Sequence, residues 1–175
     1  MRLIVAVTGA SGVHLGFKLV EKLPKSITPY LIVSEHTDIV VAHENGKIYD
    51  EEDISAPMAS GSFPSDAMIV APCSMNTLAK IACGIADNLV TRAAAVMIKE
   101  KRPLLLAPRE MPFSAIAMEN MLKLSRLGVI IAPPVMGYYS DHETVEEMEN
   151  FVIGKWLDLL NIEHDLFKRW RIEEA

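Results

Sequence analysis

Short runs of β-branched and aliphatic residues alternate along the chain with longer stretches in which apolar positions recur every three or four residues. The first pattern marks strands buried on both faces and the second marks amphipathic helices, so their alternation predicts a parallel sheet covered by helices on both sides. The expected fold class is α/β, doubly wound, with a Rossmann- or flavodoxin-like sheet. Leu3-Ile4-Val5-Ala6-Val7 predicts the first strand, and Gly9-Ala10-Ser11-Gly12 turns it into a helix reaching about residue 23, where Pro24 blocks continuation. A second strand is expected over 30–33. Ser34 can cap the next helix, Asn45-Gly46 reads as a turn, and a polar segment then runs to about residue 55.

The third strand is predicted over 67–71, followed by Pro72-Cys73-Ser74-Met75-Asn76-Thr77 and a short helix that Gly84 ends in the left-handed conformation. Asp87 is expected to cap a longer helix reaching about residue 100. Lys101-Arg102-Pro103 then introduces a fourth strand over 104–107, closed by Pro108. Over 114–127, Ile116, Met118, Met121, Leu122 and Leu124 share one broad helical face, Gly128 ends the helix, and a fifth strand follows over 129–132. A last helix, about 143–160, leads into a charged tail. The chain, 1–175, is expected to form one domain, with the C-terminal helix and tail starting near 143.

Composition adds constraints. Half of the 175 residues are hydrophobic, 23% are charged and the mean hydropathy is +0.22, which supports a packed core and predicts apolar surface that meets other subunits. With 17 Lys and Arg against 23 Asp and Glu the net charge is −6, and no basic stripe with interleaved aromatics is present, so no nucleic-acid partner is expected. Cys73 and Cys83 suggest neither a disulfide framework nor a zinc knuckle, and His14, His36, His43, His142 and His164 lack metal-ligand spacing. No metal is expected, and a reducing cytoplasm fits. The apolar run at 3–7 is too short for a signal sequence and the one near 129–135 is broken by Pro133 and Pro134, so no membrane association is expected.

In open α/β sheets ligands bind beyond the carboxyl ends of the strands. The glycines after the first strand can admit a phosphate or ribityl group to the following helix N-terminus, or simply form a tight turn. The nicotinamide fingerprint G-x-G-x-x-G fails because Ser11 occupies its second glycine, and the looser T-G-x-x-G-x-x-G places Leu15 where the last glycine belongs. After the third strand Ser74, Asn76 and Thr77 are helix-capping groups first, and donors to a phosphate or ring second. After the fourth, Arg109 beside Glu110 is either a surface ion pair or a bidentate phosphate clamp, and the strand-end position favours the clamp. Gly137-Tyr138-Tyr139-Ser140 offers phenols for packing or for phosphate binding.

Taken in order, these segments resemble the UbiX-type flavin prenyltransferases of the flavin-dependent cysteine-decarboxylase-like superfamily. The carriers span nearly the whole chain: Thr8-Gly9-Ala10-Ser11-Gly12, Ala59-Ser60-Gly61-Ser62-Phe63, Pro72-Cys73-Ser74 with Thr77, Asn88-Leu89 with Arg92-Ala93-Ala94, Lys99-Glu100-Lys101-Arg102-Pro103-Leu104, Pro108-Arg109-Glu110, Glu119-Asn120-Met121, and Pro133-Pro134 with Tyr139. The resemblance implies an enzyme that needs no metal and moves the dimethylallyl unit of dimethylallyl phosphate onto N5 and C6 of reduced FMN, making the prenylated FMN used by UbiD-type decarboxylases. It implies FMN contacts from Gly9, Ala10, Ser11, Ser34, Ser74, Met75, Asn76, Thr77 and Arg109. Lys99, Arg109, Glu110, Tyr139 and Lys155 would surround the prenyl phosphate, with Trp170 beside the allylic group. Ser11, Glu44, Lys99 and Glu110 are the implied catalytic set, Glu110 ranking above Glu44 for proton handling. Position 155 is often Arg in the family, so Lys155 offers a point charge in place of a fork. The family builds trimers into dodecamers.

Two alternatives remain open. An FMN-dependent cysteinyl or phosphopantothenoylcysteine decarboxylase shares the fold, but that branch carries a His shortly before the third strand, and residues 56–67 contain none. A non-catalytic flavin-binding subunit would bind FMN without consuming prenyl phosphate.

Overall fold

The computed structural model describes residues 1–9, 11–33, 46–138 and 144–169, in two compact units, Met1–Pro134 and Val135–Ala175. In the first unit the strands are β1 (Arg2–Val7), β2 (Thr28–Val33), β3 (Lys47–Asp50), β4 (Ala67–Cys73), β5 (Leu104–Pro108) and β6 (Ile130–Ile131). They form one sheet in the order β3-β2-β1-β4-β5-β6, and every neighbouring pair is parallel. Helices α1 (Val13–Glu21), α2 (Met75–Cys83), α3 (Leu89–Lys99) and α4 (Ala115–Arg126) connect these strands. This is the doubly wound order, and the direction of winding reverses between β1 and β4, which opens a crevice at their carboxyl ends.

The central strands are aliphatic because both faces are covered. Leu3 to Val7 of β1 are at most 3% exposed, and β4 and β5 are buried throughout. Pro72 in β4 cannot donate to the ladder, and the β4–β5 register shifts there, from Val70 opposite Leu106 to Cys73 opposite Pro108. Gly84 and Gly128 end α2 and α4 with positive φ of 72° and 85°, as the sequence predicts.

Four local expectations change. The polar segment after Gly46 contains the edge strand β3, whose Tyr49 stacks on Tyr30 with ring centroids 6.3 Å apart. Asn88, not Asp87, caps α3: Asn88 Oδ1 accepts from the Thr91 N–H at 3.0 Å, and Thr91 Oγ1 accepts from the Asn88 N–H. β6 is reduced to two residues. On α4 only Leu124 of the predicted apolar face is fully buried, whereas Ile116, Met118 and Leu122 are 72%, 53% and 52% exposed. The helix expected after Ser34 lies outside the described residues.

In the second unit α5 (Val145–Leu159) starts with a capping box, Thr144 Oγ1 accepting from the Glu147 N–H and Glu147 Oε2 from the Thr144 N–H. Phe167 lies across Gly154 and against Phe151, with ring centroids 5.0 Å apart. A Cβ on Gly154 would come within 2.6 Å of the Phe167 ring, so glycine allows the chain after α5 to fold back onto it.

Candidate functional site

The crevice is assembled by a buried threonine. Thr8, 4% exposed at the end of β1, donates its hydroxyl to Pro72 O at 3.1 Å, and the same oxygen accepts the Ser74 N–H at 2.9 Å. Both atoms belong to the end of β4, so one side chain fixes the two strand ends together and sets the start of α2. Ser74 Oγ accepts from the Thr77 N–H at 3.1 Å and shares a 2.9 Å hydrogen bond with Thr77 Oγ1. The capping role of Ser74 and Thr77 is therefore real, with Met75 half-buried and Asn76 exposed beside them.

α1 begins differently. Its N-cap is Gly12, in the left-handed region at φ 97°, with no side-chain cap and no acidic residue in the first turn. A Cβ on Gly9 would meet nothing within 4 Å, so the backbone here borders open space. Gly16 serves another purpose: a Cβ there would press into the Ala71 carbonyl oxygen and lie 2.7 Å from Val7 Cγ2. Helix–strand packing, the task of the last glycine in nucleotide-binding fingerprints, thus falls on Gly16, one residue beyond Leu15.

Arg109 joins from β5. Its N–H donates to Cys73 O at 3.3 Å and its Nε donates to Ser11 O at 3.0 Å, while the side chain stays exposed. The neighbouring Glu110 is also exposed, and its carboxylate accepts from the Met111 N–H at 3.1 Å. Gly9, Ser11, Ser74, Thr77 and Arg109 therefore meet at the carboxyl ends of β1, β4 and β5. An uncapped helix start, hydroxyls and an Arg fork are what a flavin phosphate and ribityl chain require, so these residues fit FMN.

Cys73, at the same strand end, is fully buried, and burial pushes its thiol up to about 12. It is a packing residue and not a nucleophile.

Lys99 lies elsewhere. It ends α3, pairs with Glu100, and stands over Gly61 together with it. Arg102 holds the same loop, donating from Nη1 to Phe63 O at 2.7 Å and from Nη2 to Gly61 O at 2.8 Å. That loop enters β4 and Arg102 precedes β5, so the cluster sits at the amino end of the sheet. Arg109 is at the carboxyl end, seven residues from Arg102, or about 23 Å along the strand direction at roughly 3.3 Å per residue. Within one chain Lys99 and Arg109 do not share a site. Lys155 is exposed on α5 in the second unit. Ala10, Ser34, Glu44, Tyr139 and Trp170 lie outside the described residues. Among the described residues no cluster of His, Cys, Asp or Glu is arranged to hold a metal ion.

The sequence reading missed Gly16 and Thr8 as the pieces that shape the crevice. Gly16 is visible as a third glycine in G-x-x-G-x-x-x-G, and Thr8 opens the Thr8-Gly9-Ala10-Ser11-Gly12 segment, but neither pattern says that these two residues shape the crevice.

Residues 1–156 match the Flavoprotein family. The chain is 46% identical to the flavin prenyltransferase UbiX of Helicobacter pylori (strain ATCC 700392 / 26695), over 97% of this chain and 98% of that protein. A dodecameric FMN-dependent UbiX-like decarboxylase from Escherichia coli O157:H7 superposes with a TM-score of 0.91 at 42% identity, covering 98% of this chain and all (100%) of the other. AnUbiX (PadA1), solved in complex with FMN and dimethylallyl pyrophosphate, gives a TM-score of 0.91 at 38% identity, covering 99% of this chain and 98% of the other. With near-complete coverage on both sides, the chain belongs to the flavoprotein family and, within it, to the UbiX-type flavin prenyltransferases.

Proposed function

We propose that this protein transfers the dimethylallyl group from dimethylallyl phosphate to N5 and C6 of reduced FMN. The observation that carries the reading is the meeting of Arg109, Ser74 and the uncapped start of α1 in the β1–β4 crevice of a chain with near-full-length kinship to UbiX enzymes. FMN supplies the nucleophilic ring positions. The chain supplies binding and charge: Gly9, Ala10, Ser11, Ser34, Ser74, Met75, Asn76 and Thr77 hold the flavin, and Arg109 spans flavin and prenyl phosphate.

Departure of an allylic phosphate builds negative charge on the leaving group. Cationic donors fixed in advance stabilise that charge more in the transition state than in the bound substrate, which raises the rate. Lys99, Arg109, Tyr139 and Lys155 are assigned to this task, Glu110 and Glu44 to proton transfer, Ser11 to the flavin edge, and Trp170 to the face of the allylic group. A chain with net charge −6 needs such a local concentration of cations to hold a phosphate. Residues 56–67, which lead into β4, include no His, which favours prenyl transfer over the cysteinyl-decarboxylase chemistry of the same fold.

The separation of Lys99 from Arg109 requires that one site draw on more than one copy of the chain. The assembly assigned here is a homo-oligomer of trimers building a dodecamer, in the cytoplasm, and a UbiD-type decarboxylase receives the product. No described helix is long and apolar enough to cross a membrane.

The test is anaerobic incubation with reduced FMN and dimethylallyl phosphate, then mass spectrometry of the extracted flavin. A flavin heavier by one dimethylallyl unit supports the reading, and unmodified FMN with intact prenyl phosphate overturns it. Mixing inactive Lys99→Ala and Arg109→Ala chains under subunit exchange is expected to restore part of the activity. No restoration despite exchange would refute the shared site.

A further inference from the structure

We infer that Arg169 is a positioning residue that keeps the Lys155 ammonium available by occupying Asp158, an inference that rests on the assignment of Lys155 to the prenyl phosphate.

A helix places residues three and four apart side by side. Around Lys155 these positions are Phe151, Val152, Asp158 and Leu159, so Asp158 is its one charged neighbour on α5. Asp158 also sits in the last turn, where the carbonyl end of the helix disfavours a carboxylate and no basic residue of that turn compensates. Left alone, its carboxylate would be drawn to Lys155 one turn away.

The chain after α5 prevents this. Arg169 grips Asp158 with both arms, Nη2 to Oδ1 at 2.7 Å and Nη1 to Oδ2 at 3.1 Å. His164 accepts the Leu166 N–H on Nδ1, so its remaining proton lies on Nε2 and is donated to Asp158 Oδ1 at 3.1 Å. The His164 side chain is 2% exposed and stacks beside Phe167, whose ring lies over Gly154 and under the Arg169 guanidinium. The fold-back thus brings the Arg169 charge to Asp158, the one acid beside Lys155 on α5. Lys155 itself makes no ion pair with any described residue.

The experiment measures KM for dimethylallyl phosphate, with reduced FMN saturating, in wild-type protein and in the Arg169→Gln, Asp158→Asn, double Asp158→Asn/Arg169→Gln and Lys155→Ala variants. Arg169→Gln exposes one negative charge a turn from Lys155 and is expected to raise KM about fivefold with kcat within about twofold, an effect that shrinks at high salt. The double variant removes that charge and is expected to return KM to within about twofold of wild type, with Asp158→Asn at or below it. A raised KM in Arg169→Gln that persists in the double variant would overturn the inference, because tail packing would then be its cause. A normal KM in Arg169→Gln with a raised KM in Lys155→Ala overturns the inference and leaves the Lys155 assignment standing. A normal KM in Lys155→Ala overturns both.

Discussion

Gly16→Ala separates the packing argument from helix propensity because the two predict opposite signs. Alanine stabilises a helix interior by about 1 kcal/mol over glycine, so an α1 that was merely helical would gain from the change. The structure predicts a loss. The added methyl would push into the Ala71 carbonyl oxygen of β4 and lie 2.7 Å from Val7 Cγ2, and the first obstacle is backbone in the centre of the sheet. Overpacking of this kind costs roughly 1–3 kcal/mol, and a backbone obstacle places it at the upper end. After the helix gain the net destabilisation is about 1–2 kcal/mol, a fall in Tm of about 2–8 °C for a chain of this size. Because assembly ties Tm to concentration, melts are compared at one protein concentration, and FMN titration follows the displacement of α1 from the crevice. Gly9→Ala is the control: its Cβ meets nothing within 4 Å, so it should leave Tm nearly unchanged while weakening FMN. A Gly16→Ala protein that melts at or above wild type refutes the reasoning.

Thr8→Val keeps the shape of a buried side chain but strips the Ser74 N–H of its acceptor and leaves Pro72 O with the Thr8 N–H alone, an expected loss of about 1–3 kcal/mol in urea unfolding together with weaker FMN binding; unchanged values for both would count against the role given to Thr8. With Cys73 buried and its thiol pushed up to about 12, a thiol reagent at neutral pH should modify only Cys83 in the native protein and both after unfolding, and rapid native labelling of Cys73 would contradict its burial. The Asp158 carboxyl is held below its ordinary value, chiefly by the Arg169 hydrogen bond, so its contribution to stability is present above the usual carboxylate range near about pH 4 and is lost as pH falls through the folded value. Arg169, pushed upward by the same contact, stays charged throughout; the gap between the melts of wild type and Asp158→Asn should therefore hold steady above about pH 5 and narrow as pH falls below about pH 4, and a gap that stays constant on acidification would refute the linkage. Leu122→Glu places a charge on the exposed apolar face of α4 and should lower the mass measured by light scattering, whereas an unchanged mass would mean that copies do not meet there.

The buried strands were legible because both of their faces are covered, which leaves an unbroken aliphatic run such as Leu3 to Val7. β3 was not, because an edge strand needs little apolar content and here carries Lys47 and Asp50. Asp87 and Asn88 are equivalent as capping residues on paper, and the choice of Asn88 follows from Thr91 lying three residues on, where it completes a reciprocal pair. The apolar stripe of α4 is legible in the sequence as a stripe. Periodicity does not say what covers it, and Ile116, Met118 and Leu122 turn out to face away from their own sheet.

The same limit governs the site. Motifs locate residues along the chain, whereas a parallel sheet has two ends, and which end a residue reaches depends on the element that carries it. Arg109 follows β5 and reaches the crevice directly, while Lys99 precedes it and is turned to the opposite end with Gly61 and Arg102. Resemblance assigns both to one phosphate, and the strand length between them does not allow a single chain to satisfy that assignment. Under the proposed assignment, a second copy presents its Lys99 end to the crevice of the first. The unburied face of α4 offers apolar surface suited to such contacts, so under that proposal the hydropathy of +0.22 and the divided cationic set share one explanation in self-association.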